Sequence, residues 1–563
     1  MKRFISLCVI ISFLTIPVLA FGGPEIDRFS LIPRGGSKMS WDFLDTFSTD
    51  LAAGSVNGTL SDSSHVRTVT DASNDLSIAS GKLTFGGAAA SGLWYPAVTR
   101  AAGIMGIWQF NATDATNTIE FGFDTNTAGA IAGQGYRIAS DTLKPYPGGA
   151  AGPTVFIPLD GTNYTFLSAL RATGAFLFGK GGTLTNWTLL WPGVTDSTAT
   201  LYPAYSNTNI AGTSAYTAIP SNDYLPTPLL SHGFASVVSP TAGDGHAETT
   251  GLGSGGSGVT MTGATWAIVG GKAVNTPTEG EELLTDGGLE NWTDANNLTS
   301  WNKTGTGTLD REGTIKYGGT YSAKLTRAGL NSMRVYQGTN TTGLWYKVSL
   351  YARSDTGTPG IQFGITSVGK LQTLTDSFAQ YITTDRGAGN QIADFKTVTN
   401  DSIVYIDNVS SKLLTLSTLF LTAPLSTSNV VASADLTITA GTQAGLGLRL
   451  DDQTTPTKGL VATNDGVTCK LDEFTTATTW NNRISGACTY SADKTITAII
   501  DGTDGRLYWN GALVNVTTSI TGTITGTIHG LFSTSSGNAL DNLEVRARGN
   551  EGQYSNLDAF IIQ

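Results

Sequence analysis

In the run TIEFGFD (118–124), Glu120 and Asp124 stand four residues apart among Ile119, Phe121 and Phe123. Side chains an even number of positions apart on a strand share a face, so both carboxylates would project the same way. Two carboxylates about 5 Å or about 6.5–9.5 Å apart across a cleft suffice for glycoside hydrolysis. An aspartate at a strand end facing solvent is the commoner use of such a residue. Asp451-Asp452 and Asp472-Glu473 sit in turn-like settings and read as solvated or cation-binding rather than catalytic.

A different chemistry needs aromatic faces beside hydrogen-bonding ends. Trp292, Trp301, Arg334, Tyr336, Gln337 and Trp345 supply both types within one segment. Aromatic rings pack on the apolar side of a pyranose, and a few polar side chains bind its hydroxyls. Trp345 and Gln337 are the pair expected to lead such contacts. Core packing is the competing role for every Trp, and the expected one for Trp301.

Other chemistries find little footing. The four histidines, His65, His232, His246 and His529, form no metal-like spacing, and no G-x-S-x-G elbow is present. GLGSGGSG (251–258) lacks the Lys-Ser/Thr ending of a phosphate loop and reads as a surface loop. A net charge of −11 and pI of about 4.9 disfavour nucleic acid and anionic membrane surfaces as partners.

Residues 1–20 read as an export signal: Lys2 and Arg3, an apolar run over 4–16, then Val18-Leu19-Ala20 as a cleavage site. An uncleaved anchor is the alternative, for which the apolar run is short. No later segment is apolar for long enough to span a bilayer, so an extracellular or cell-surface location is expected. Losing Lys2 and Arg3 takes the charge from −11 to −13. Cys8 lies in the signal, leaving Cys469 and Cys488. A disulfide between them across neighbouring strands and a pair of buried thiols are both open readings.

The elements that must position these residues are strands. Turn residues recur every eight to twelve positions, separating short runs such as TFLSALRA (165–172), SADLTITA (433–440) and KTITAIID (494–501). In the last, Thr alternates with Ile, as on a strand with one buried face. No segment beyond the signal holds a helical apolar period, so the chain is expected to be all-β, built of tandem β-sandwiches. Two echoes organise it. LSIASGKLTFGG (76–87) matches WAIVGGKAVNTP (266–277), and ALRATGAFLFGKGG (169–182) matches AIIDGTDGRLYWNGALV (498–514).

These echoes, with GLFSTSSGNALDNLEVRA (530–547), resemble concanavalin A-like and laminin-G-like jelly rolls. The implied parse is a first jelly roll over 41–223, a connector at 224–229, and a second jelly roll split into 230–277 and 414–548. The piece 230–277 is too short to bury a sandwich core by itself. Residues 549–563 read as a tail or an assembly segment.

The intervening 282–412 carries ELLTDGGLENW (282–292), KYGGTYSAKLTR (316–327), WYKVSLYARS (345–354) and IVYIDNVSSK (403–412). In that order these resemble family 4/9 (CenC-type) carbohydrate-binding modules, a third jelly roll inserted into the second. The resemblance implies a glutamine on the sheet face at Gln337. It also implies a structural calcium held by Glu290, Asp407 and carbonyls of the Gly318-Gly319 turn. The competing role for Glu290 and Asp407 is hydrogen bonding to nearby backbone.

The chain therefore reads as an exported, non-catalytic glycan-binding or adhesion protein whose partner is a polysaccharide or cell-surface glycan. A glycoside hydrolase with an appended binding module is the alternative. The nearest approach to the E-x-D-x-x-E strand of concanavalin-like hydrolases is Glu120 with Asp124, which lacks both the third acid and the E-x-D step. A phage tail-fibre or surface-layer part is a further alternative.

Overall fold

The computed structural model describes residues 41–74, 76–85, 91–99, 104–111, 118–125, 134–139, 142–147, 152–171, 174–193, 200–207, 212–220, 230–232, 261–327, 332–355, 357–365, 369–554 and 557. The expected signal (1–20), the connector (224–229) and the Gly/Ser-rich run (251–258) lie outside the described residues. Among these residues the chain is all-β, folded as antiparallel β-sandwich jelly rolls, with one 3-10 turn at Leu416–Leu419.

The sequence echoes are structural equivalents. In the first jelly roll one sheet runs in the order Leu184–Gly193, Gly174–Gly181, Asn163–Arg171, Ile104–Asn111, Gly212–Pro220, Lys82–Phe85, Ser77–Ala79. In the second the order is Ala512–Thr517, Asp504–Trp509, Lys494–Asp501, Val430–Thr437, Ala539–Ala547, Lys272–Asn275, Trp266–Val269. Each strand of one list has its counterpart in the other. The Gly-Lys turns that drew attention in the sequence close the edge hairpins, where Gly81 and Gly271 take φ of +71° and +78°. Such backbone suits a residue without a Cβ.

The opposing sheets match as well. Thr142–Pro147, Gln134–Ala139, Ile119–Asp124, Thr200–Asn207 and Ser91–Trp94 correspond to Thr468–Thr476, Gly459–Asn464, Ala444–Leu450, Ile528–Ser533 and Phe420–Pro424. The first roll joins Lys82–Phe85 to Ser91–Trp94 through residues 86–90. The same connection in the second roll, from Lys272–Asn275 to Phe420–Pro424, takes residues 276–419. Those residues build two further sheets around Leu309, Val335, Leu350, Phe363, Phe395 and Ile406.

The three sandwiches touch along two seams. The outer face of Lys494–Asp501 and its neighbours meets the first roll: Ile499 and Val431 are buried there, and Trp191 lies edge-on to Tyr508 at 5.0 Å. The Thr/Ile alternation of 494–501 predicts one buried face; the seam with the first roll buries the other. Tyr554 and Leu557 are buried in the same contact, and Tyr554 lies edge-on to Phe178 at 5.1 Å. Cys469 and Cys488 form a disulfide within the second roll, with Cα atoms 5.7 Å apart.

Candidate functional site

Five strands of the 276–419 unit make one sheet in the order Asn302–Gly305, Met333–Gln337, Ala393–Thr397, Gly360–Gly364, Lys370–Thr373. Alternation on Met333–Gln337 sends Met333 and Val335 into the core and leaves Arg334 and Tyr336 half-buried on the outer face. Register places Arg334 opposite Lys396 and Tyr336 opposite Asp394. The Arg334 Nε donates to both Asp394 oxygens at 3.0 Å, and Nη2 donates to Gln391 Oε1 at 2.9 Å. The guanidinium also lies 4.8 Å from the Tyr336 ring centroid, a cation–π distance.

Burial pushes the Asp394 carboxyl up from its ordinary range, against the pull of Arg334. Asp394 in turn holds Arg334 charged. Half-buried Gln362 and Lys396 and exposed Asn302 complete the face. It presents one aromatic ring, already oriented by an arginine that is itself fixed by a buried acid. That combination can stack on a sugar ring and hydrogen-bond its hydroxyls without first ordering its side chains.

The other sequence candidates lie elsewhere. Gln337 turns inward: its Nε2 donates to the carbonyls of Thr285 (2.8 Å) and Ser300 (2.9 Å), and Oε1 accepts the Thr285 N–H at 2.7 Å. It pins the opening loop to the strand, with no polar atom left over for a sugar. Trp345 is 3% exposed, with its ring against Trp480 and Phe532 of the second roll at 5.9 and 5.3 Å. It lies on the face of its strand away from the unit's own core, and another sandwich covers that part of the face. Trp292 is partly buried against the core, and its indole N–H donates to the Leu289 carbonyl at 2.8 Å. Trp301 packs in the core, 5.3 Å from Phe395.

Glu290 and Asp407 come to the same turn. Asp407 Oδ2 accepts the N–H groups of Tyr317 (2.8 Å) and Gly318 (3.0 Å), and Glu290 Oε1 accepts that of Thr320 at 2.9 Å. Burial, with a smaller contribution from the nearby Glu290 charge, raises the Asp407 pKa despite those donors. A hard cation takes oxygen donors and would relieve that burden. The two acids fit calcium in donor type and charge, though they are only two of the six to eight oxygens it takes. Among the described residues no group of three or more His, Cys, Asp or Glu gathers to hold a metal ion.

In the first roll Glu120 and Asp124 do share a face, as their spacing predicts, and both are buried. Glu120 forms an ion pair with Arg137, while Asp124 accepts the Trp94 indole N–H at 2.9 Å and the Thr125 N–H at 2.7 Å. Each carboxylate is thus engaged by the scaffold.

One surface feature went unread in the sequence. Tyr317, at the tip of the turn held by Asp407, is 47% exposed and stacks on Tyr351 with ring centroids 3.6 Å apart. Its position inside KYGGTYSAKLTR drew attention to the glycines rather than to the ring beside them.

No protein-family model matches the chain, and a search of curated proteins found no match. Among solved structures, it is similar to the carbohydrate-binding module CBM66 from Bacillus subtilis, at 15% identity over 23% of this chain and 81% of that one, TM-score 0.19. It is similar to a CBM22 xylan-binding domain from Paenibacillus barcinonensis at 14% identity, over 25% of this chain and 98% of that one, TM-score 0.20. Mouse laminin alpha1 domains LG4-5 align at 9% identity over 83% of this chain and 90% of that one, TM-score 0.18.

Proposed function

We propose that this chain is an exported, non-catalytic glycan-binding protein whose 276–419 unit, a module of the family 4/9 type inserted into the second jelly roll, recognises a polysaccharide. The observation that carries the reading is the Arg334–Tyr336–Asp394 arrangement: a half-buried ring with a fixed polar flank on the outer face of a sheet. Recognition works by stacking a pyranose on Tyr336 while Arg334, Gln391 and Gln362 meet hydroxyls. No strongly apolar cleft is needed, so each sugar unit adds little and affinity grows with chain length. The test is affinity electrophoresis of the whole protein through gels containing xylan, mixed-linkage β-glucan, laminarin or mannan. At least one polymer should retard it, and Tyr336→Ala should weaken that retardation roughly tenfold, on the order of 1.4 kcal/mol. Unretarded migration in every polymer would sink the reading.

Calcium belongs to the same proposal. Glu290 and Asp407 would hold it, with turn carbonyls and water filling the remaining positions, and it would supply rigidity rather than chemistry. A higher melting temperature in calcium than in EDTA, absent in Asp407→Asn, is the expected result. A second reading, hydrolysis in the first roll, rests on buried Glu120 and Asp124 sharing a face. It predicts release of reducing sugar that is abolished in Glu120→Gln.

A further inference from the structure

Opposite the Arg334–Tyr336 face, the unit's other sheet runs Thr308–Glu312, Ser322–Thr326, Ile403–Leu414, Trp345–Ser354, Ala379–Arg386. The outer face of Trp345–Ser354 has two fates along its length. At Trp345 it lies under the second roll, a contact extended by Thr384 Oγ1 to Thr534 Oγ1 at 2.6 Å and by Arg386 to Asp472 at 3.2 Å. Tyr351 is six residues further along, roughly 20 Å at strand rise, and carries the stacked Tyr317 instead.

There the rings are parallel within 13°, and Phe378 stands tilted at 6.0 Å from Tyr317. Polar groups edge the ledge: Arg353 lies 5.8 Å from the Tyr405 ring, and the Tyr405 hydroxyl donates to Asp355 at 3.2 Å. Tyr317 sits on a turn tip, yet its backbone is stitched down. Its own N–H and that of Gly318 bond Asp407, and the Thr320 N–H bonds Glu290. Glu290 approaches Gly319 so closely that an added Cβ would lie 1.7 Å from the carboxylate, and with φ at +58° only glycine fits there. An exposed aromatic on a rigid turn forfeits little side-chain or loop entropy when a ligand covers it.

We infer that Tyr317 and Tyr351 form a second saccharide-binding face, back to back with the Arg334–Tyr336 face. The inference rests on the glycan-binding reading above and extends it. The ligand is the apolar side of a neutral pyranose ring. The ledge offers aromatic surface with hydroxyl, guanidinium and carboxylate groups at its edge, which suits a ring with an apolar face and hydroxyl rim. Two opposed faces on one rigid unit cannot follow a single straight chain segment. They bind separate chains or a chain that loops back, so the whole protein cross-links polysaccharide.

The test uses full-length protein with the retarding polymer from the panel above, reading both affinity-gel retardation and turbidity from cross-linked polymer. Tyr317→Ala is expected to abolish turbidity while retaining retardation through the Tyr336 face. Tyr336→Ala is expected to keep residual retardation that the double variant loses. Tyr317→Phe retains the ring and is expected to behave as the parent. Parental retardation and turbidity in both Tyr317→Ala and Tyr351→Ala would overturn the second face while leaving the glycan-binding reading intact. Absence of retardation in the parent protein would overturn both.

Discussion

The two jelly rolls share a strand order, yet the outer faces of their corresponding smaller sheets are built oppositely. In the second roll that face carries Phe420, Leu450, Val461, Phe474 and Phe532, and Trp345 with Leu414 of the 276–419 unit packs on it. In the first roll the same strands carry Trp94, Glu120, Asp124 and Ser206, all buried, with Arg137 paired to Glu120. One face has become a socket for another sandwich; the other sets a small apolar cluster of Trp94, Ala204 and Tyr202 among buried, hydrogen-bonded acids. Duplicated topology therefore fixes where a face lies but not what it meets. Residues 276–419 leave and re-enter beside the apolar face, which is the face that Trp345 and Leu414 cover.

That contrast can be broken most forcefully at the socket. Trp345→Ala removes a buried indole wedged among Trp480 and Phe532, at a cost of about 3–5 kcal/mol. The expected signature in calorimetry is a melt of the inserted unit separating from that of the second roll. A single unshifted transition would deny that the socket couples them.

The first roll's polar construction is probed at Asp45. It accepts Arg67 Nε and Nη2, both at 2.7 Å, and the Tyr95 hydroxyl at 3.0 Å, with all three side chains buried. Asp45→Ala strands the Arg67 charge, and breaking a buried pair costs about 3–5 kcal/mol. Denaturation should show that loss in the first roll, and an apolar replacement of both partners should recover most of it. If the single and double substitutions prove equally harmful, the pair is not what stabilises this region.

A smaller effect separates the rolls by pH. His529, wholly buried in the second roll, bonds the Thr427 carbonyl through Nε2 at 3.0 Å, and burial lowers its pKa to about 4. The unfolded side chain titrates near its ordinary 6.5, so between the two values the unfolded state binds the extra proton. The stability His529 contributes is whole above about pH 6.5 and is lost as pH falls through about 4, about 3 kcal/mol in all. Melting temperature followed from pH 7 to pH 4 should fall, and more gently in His529→Gln. Equal slopes for both proteins would exclude this histidine as the cause.

Much of the fold was legible because its signals are local. Gly-Lys turns, the paired glycine turns around LYWNG and period-two alternation belong to single hairpins, and the strands they mark recur in the same order in two sheets. The site was only partly legible. Arg334 and Tyr336 stand out in the sequence by residue type alone, and it is the strand's alternation against Met333 and Val335 that puts them on the outer face. Trp345 and Tyr351 sit on the same face of one strand, and nothing in that strand tells which end another sandwich will cover. Gln337 turned inward because the carbonyls of Thr285 and Ser300, distant in sequence, offered its amide better partners than water. Tyr317 became a surface ring only because Asp407, far along the chain, holds its turn.

The most direct measurement is the migration of the whole protein and of Tyr336→Ala through gels containing each polysaccharide. At least one polymer should slow the parent protein and slow the variant roughly tenfold less. Equal retardation of the two proteins would remove the Arg334–Tyr336 face from the binding site, and no retardation of either would contradict glycan recognition altogether.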